Sequence, residues 1–92
     1  MDQEQRNKIR ELFFYRVTDS ELRSKIIQLA GIMNETESDP KDVKPLSTDP
    51  SQAFAQMSGD ENDGFWEALY HYALPENWDD ALDDYEDFVK AL

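Results

Sequence analysis

The stretch Trp78-Asp79-Asp80-Ala81-Leu82-Asp83-Asp84-Tyr85-Glu86-Asp87-Phe88-Val89-Lys90-Ala91-Leu92 decides how this chain is read. Trp78, Ala81, Leu82, Tyr85, Phe88, Val89 and Leu92 recur at spacings of three and four. That is the pattern of a helix with one sustained apolar seam. Between the seam positions every residue is acidic except Lys90 and Ala91. The reading predicts an amphipathic helix over about residues 76–91, buried on one side and anionic on the other.

Working towards the N-terminus, Pro75 ends the preceding helix and begins this one. Residues 65–73 are dense in aromatics, with Phe65, Trp66, Tyr70 and Tyr72 beside Leu69 and Ala73. By spacing, this group together with Trp78, Tyr85 and Phe88 is mostly core. Ser58–Gly64 reads as a turn, and Asn62 or Asp63 is expected to cap the helix after it. Asp49-Pro50-Ser51-Gln52 is a start signal, with Asp at the cap, Pro first and Gln third. The short helix that follows carries Ala53, Phe54 and Met57.

Residues 34–50 contain three prolines and only two large aliphatics, Val43 and Leu46. This predicts a long linker in which those two side chains are tacked down. Before it lies a helical hairpin over 3–33. Ile9, Leu12, Phe13 and Arg16 set the first helix, while Arg6 and its charged neighbours are placed off that face. Phe14 and Tyr15 widen the face, towards the third and fourth helices or towards a second copy in a homodimer. Thr18-Asp19-Ser20-Glu21 reads as a capping box with Thr18 at the cap. The second helix carries Leu22, Ile26, Leu29, Ala30 and Met33, weakens at Gly31 and stops at Asn34. The fold class expected is therefore all-α: one domain, a small bundle of four to five helices, with a long Pro-containing linker between the second and third.

Ninety-two residues support one domain, burying roughly 60–65% of the surface the unfolded chain exposes. No cysteine is present, so neither a disulfide nor a thiolate metal site reinforces that core. The start, Met1–Gln5, is polar, and no run approaches the ~20 apolar residues of a membrane span. A cytoplasmic protein without membrane contact is the expectation.

Charge is the outstanding property. The chain has 21 acids and 9 bases, a formal net charge of −12. Residues 1–46 hold nine acids and eight bases; residues 47–92 hold twelve acids and only Lys90. Like-charge pairs such as Asp79–Asp83, Asp80–Asp84 and Asp83–Asp87 each destabilise a helix by a few tenths of a kcal/mol. Glu86 and Asp87 also face the negative end of the helix dipole. Together these make an avoidable local cost of about 1 kcal/mol, which solubility alone does not require.

No catalytic or metal-binding pattern competes with this. Aligning Gly64 with the invariant glycine of a calcium loop puts Gly59 and Tyr70 at its first and last positions, where oxygen ligands are needed. His71 is the only histidine, and no serine has the surroundings of a nucleophile. The chain has no glycine-rich phosphate loop, and a domain this small offers hardly a cleft for paired carboxylates to work on a sugar. Not an enzyme, no cofactor and no metal are the expectations. The negative field also disfavours direct nucleic-acid binding.

Leu74-Pro75-Glu76-Asn77-Trp78-Asp79-Asp80-Ala81-Leu82 resembles the Asn-Trp-Asp-Ala-Leu region of barstar-type nuclease inhibitors. The likeness covers nine residues and needs one extra Asp to align; the strands of that fold are missing from the rest of the chain. What it implies is the principle of an acidic helix plugging a basic nuclease site.

The expected function is a non-enzymatic inhibitor or regulator that occupies the basic, nucleic-acid-binding site of another protein by mimicking phosphates. The expected contact residues are Glu76, Asp79, Asp80, Asp83, Asp84, Glu86 and Asp87, joined by Asp60, Glu61 and Asp63 into one anionic ridge. A phage anti-CRISPR or anti-restriction factor suits this size and charge. The alternatives are an immunity protein or antitoxin against a basic nuclease toxin, and a helical adaptor that binds through its aromatics.

Overall fold

The computed structural model describes residues 1–34, 46–47 and 49–91. Among them are five α-helices: α1 (Gln3–Arg16), α2 (Ser20–Asn34), α3 (Pro50–Gln56), α4 (Asp63–Ala73) and α5 (Trp78–Ala91). Short 3₁₀ turns occupy Asp60–Asn62 and Pro75–Asn77, and no strand occurs among the described residues. The fold is a small all-α bundle. Of the two expected linker anchors, Val43 lies outside the described residues. Leu46 is half-buried against the core and seats over Gly31, where a Cβ would lie 2.6 Å from its Cδ1. Its carbonyl accepts from Gln28 Nε2 at 2.8 Å.

Local chemistry sets the helix ends, and several differ from the sequence reading. The Asp2 carboxylate accepts from the Gln5 backbone N–H at 2.8 Å, and Gln5 Oε1 accepts in return from Asp2 N at 3.1 Å. This reciprocal box starts α1. At α2 the cap is Asp19 and not Thr18: Asp19 Oδ1 accepts from Leu22 N at 2.8 Å. A carboxylate outcompetes a hydroxyl at the positive end of a helix. Asp49 and Pro50 start α3 as expected, with Asp49 Oδ1 accepting from Ser51 N. Gln52, however, does not close the box. Its Oε1 takes the Ser47 hydroxyl, which itself accepts from Asp49 N.

The start of α4 falls at Asp63, two residues ahead of the expected 65, and neither Asn62 nor Asp63 caps it with a side chain. The cap comes from another helix. Asn34, the last residue of α2, accepts from Phe65 N at 3.1 Å and donates to Asn62 Oδ1 at 3.1 Å. This approach depends on Gly64, where a Cβ would stand 2.9 Å from Asn34 Oδ1. Residues 75–77 form a 3₁₀ turn, so α5 begins at Trp78, two residues later than expected.

The core is organised around α4, whose Phe65, Trp66, Leu69, Tyr72 and Ala73 are all buried. It packs on α2, which contributes Ile26, Ile27, Leu29 and Ala30, and on α1, which contributes Phe13. The seven residues of α3 are too few to be stable alone. Phe54 holds them in place. Its ring stacks on Trp66 at 5.4 Å and meets Phe13, Phe14 and Phe65 edge-on. Trp66 Nε1 completes the cluster by donating to the Met57 carbonyl at 2.7 Å. Phe14 thus packs on α3, one of the placements the sequence suggested. Tyr15 does not: it is 81% exposed. Tyr70, read as core, is also exposed, on the outer side of α4.

Two arginines of the N-terminal half are structural. Arg23 donates to the carbonyls of Phe14 and Val17 and lies 4.8 Å over the Phe14 ring, closing the end of α1. Arg6, which the sequence placed off the apolar face, is buried. It stands three and seven residues before Ile9 and Phe13, on the face they share. Its guanidinium donates to the carbonyls of Ser58 and Met1 and to Asp60 Oδ1 at 3.0 Å. It therefore ties α1 to the chain between α3 and α4. Removing it leaves two part-buried carbonyls without their donor and a void at a buried position, so Arg6→Ala should cost about 2 kcal/mol in urea unfolding, and Arg6→Lys should recover only part of that. Asp60 is almost fully exposed, and Asp60→Asn should change stability by less than about 1 kcal/mol. Equal losses for Arg6→Ala and Asp60→Asn would show the ion pair, not the carbonyl contacts, to be what matters.

Candidate partner-binding surface

The apolar seam of α5 is partitioned by its neighbours. Ala81 is buried, and Trp78, Tyr85 and Phe88 are half-buried against the core. Leu82 and Val89 remain 38% and 46% exposed. Leu92 lies outside the described residues. At 100° per residue the carboxylates occupy an arc of roughly 160° opposite this seam. Residues four apart on that arc, such as Asp79, Asp83 and Asp87, stand about 6 Å apart along the axis.

Within the arc the carboxylates are not equivalent. Asp79, Asp80, Asp83 and Asp87 are exposed and lack a salt-bridge partner among the described residues. Glu86 is exposed but pairs with Lys90 at 3.1 Å, in the favourable i, i+4 orientation. Glu76 is exposed on the 3₁₀ turn ahead of the helix. Asp84 faces inward: its Oδ2 accepts from the Tyr72 hydroxyl at 2.5 Å. It joins α5 to α4.

The three acids of the 60–63 segment form no ridge with these. Asp60 pairs with Arg6, and Asp63 accepts from the Met1 ammonium at 3.0 Å. Glu61 is exposed, its carboxylate folded back over Gly59. The segment sits at the C-terminal end of α2, where Asn34 bonds Asn62. Leu82 and Val89, by contrast, lie beside Asp19–Lys25 at the other end of α2. Fifteen residues of helix separate the two ends by about 20 Å. The single ridge expected from the sequence is thus two patches; among the described residues two of the three acids at 60–63 are paired, whereas Asp79, Asp80, Asp83 and Asp87 on α5 are not.

The bases explain the difference. Lys8 pairs with Glu4 and Lys25 with Glu21, each across one helical turn. Arg6 and Arg23 are tied to backbone carbonyls. Among the described residues, the only basic side chain bridged to an α5 carboxylate is Lys90. Among those same residues no group of three or more His, Cys, Asp or Glu is arranged to hold a metal ion. No described helix is long and apolar enough to cross a membrane. No family model, no curated protein and no solved structure matches the chain.

Burial, reinforced by the Asp84 carboxylate and the negative charge of Asp80, raises the Tyr72 phenol from 10.0 to about 12. The folded state thus favours the protonated phenol. This contribution to stability is complete below about pH 10 and is lost as pH rises through about 12. A phenolate absorbance titration should show one ionisation near pH 12 that Tyr72→Phe removes and Asp84→Asn moves downward. Asp84→Asn should also cost about 1 kcal/mol of stability. Asp83→Asn or Asp87→Asn, beyond the first turn of α5 where the helix dipole favours a carboxylate, should cost nothing, or gain a few tenths of a kcal/mol by relieving like-charge pairs. An Asp84→Asn variant as stable as the wild type, with its titration unmoved, would remove Asp84 from the structural role.

Proposed function

We propose that the chain is a non-enzymatic binding protein that presents the outer face of α5 to a basic, nucleic-acid-binding site of another protein, in place of phosphates. One observation carries the reading. Asp79, Asp80, Asp83 and Asp87 project from one side of a packed helix, and among the described residues no basic side chain forms a salt bridge with them. Standing about 6 Å apart along the axis, they form a regular row of anionic charge, the feature by which a nucleic-acid strand engages basic sites. The helix holds them in fixed relative positions, so little ordering is needed on binding. Glu76 and Glu86 extend the patch; Asp84 supports it from beneath. Asp60, Glu61 and Asp63 belong to a separate surface and are not required. The same chemistry serves an anti-CRISPR or anti-restriction factor and an immunity protein. What they share is a basic nucleic-acid site as the target.

Affinity capture from the source cell, followed by competition with duplex DNA and RNA, tests this directly. Nucleic acid should displace the chain from its partner, and binding should weaken by about tenfold or more between low and moderate salt. Changing Asp79, Asp80, Asp83 and Asp87 together to Asn should abolish binding without loss of helicity. Binding that ignores both salt and the fourfold change would defeat the proposal.

A further inference from the structure

The seam of α5 is wider than the surface that covers it. Leu82 and Val89 lie seven residues apart on one stripe, about 10 Å along the axis, with Tyr85 between them. Beside them α2 presents Leu22 and the stem of Lys25. These side chains line two adjoining hollows of ≈ 290 and ≈ 330 Å³ that share Lys25 and Leu82. Together the hollows form an open trough along the α2–α5 junction, two helical turns long.

Its rim is anionic. Asp19 and Glu21 line one end and Glu86 the other, while Lys25, the one base among the described residues that line the trough, is paired with Glu21 at 3.2 Å. The outward carboxylates of α5 continue directly from the Glu86 side. A second copy of the chain would bring another charge of −12 against this surface, which like-charge repulsion opposes. An apolar strip two turns long with an acidic border fits an amphipathic helix whose aliphatic anchors are flanked by lysines or arginines.

We infer that the α2–α5 trough receives an amphipathic basic helix of the partner protein, with Leu82 and Val89 as the apolar floor and the α5 carboxylates as the charged wall. This rests on the proposed function and deepens it: the acidic face attracts a basic partner, and the trough fixes where one of its helices lies. Electrostatic attraction governs encounter and its salt dependence, whereas buried apolar anchors govern residence.

The probe is a synthetic fourteen-residue Leu/Lys peptide with an amphipathic helical pattern, measured against a scrambled peptide of the same composition by fluorescence anisotropy. The wild-type chain should bind the patterned peptide at least about tenfold more tightly than the scrambled one at moderate salt. Backbone amide shifts should move at Leu22, Lys25, Leu82, Tyr85 and Val89. The double variant Leu82→Ser, Val89→Ser should lose this preference while keeping its helicity, since both positions are exposed. Equal binding of the two peptides, binding of neither, or a preference that survives the double variant overturns the trough. So does a wild-type dimer that the double variant abolishes, because it assigns the trough to a second copy. The fourfold Asp→Asn variant separates the two claims. Patterned-peptide preference retained in that variant, with partner capture and salt sensitivity unchanged, sinks phosphate mimicry and the charged wall with it, and leaves only the apolar floor of the trough. Loss of capture in that variant, with no pattern preference in the wild type, sinks the trough and leaves mimicry.

Discussion

A chain of 92 residues with no disulfide must close its core around the helix richest in large side chains, and here that helix is α4. It places Phe65, Trp66, Leu69 and Tyr72 where α1, α2 and α3 can reach them, and each of those helices is held by what it packs on it. The Phe54 ring, surrounded by Phe13, Phe14, Phe65 and Trp66, turns a seven-residue helix into a fixed part of the structure. Asn34 Oδ1 supplies the side-chain acceptor that a backbone N–H in the first turn of α4 otherwise lacks. Because α4 and α2 are fixed in this way, α5 has one surface to lie on. Laying its seam there directs its carboxylates outward.

The orientation of those carboxylates follows from burial, not from attraction. A helix whose apolar positions occupy one arc has only the opposite arc for its acids, and solvation of the carboxylates reinforces the choice. The one exception proves informative. Asp84 sits at the edge of the arc nearest α4, meets the Tyr72 hydroxyl, and is held there while the phenol is kept protonated. Charge on α5 therefore has two physical settings: a screened, solvent-facing group available to a partner, and one carboxylate engaged in the fold.

Much of the fold was legible in the residues. The periodicity of 78–91 and the Asp-Pro start at 49–50 identify helices without reference to anything distant. Less of the candidate site could be read. Spacing alone put Asp60, Glu61 and Asp63 with the α5 acids, because neighbours in sequence look like neighbours in charge. Only the packing of α1 reveals that Arg6 and the Met1 ammonium meet that segment. Arg6 itself carried a usable signal, since it falls on the Ile9–Phe13 face, but a charged residue at an apolar spacing is usually read as solvent-facing. The division of the seam into buried Ala81 and exposed Leu82 and Val89 had no signal at all.

The sequence by itself determined an all-α bundle of four to five helices, where most of them begin and end, and the lopsided distribution of acid along the chain. These are properties of residues within one or two turns of each other, governed by helical period, capping and proline geometry. The tertiary structure alone decided which carboxylates stay free, which residue caps α4 and how wide a strip of α5 is left uncovered. Those outcomes depend on groups brought together from far apart in the chain, as when Asn34 meets Phe65 and Tyr72 meets Asp84, and no local period encodes such a meeting.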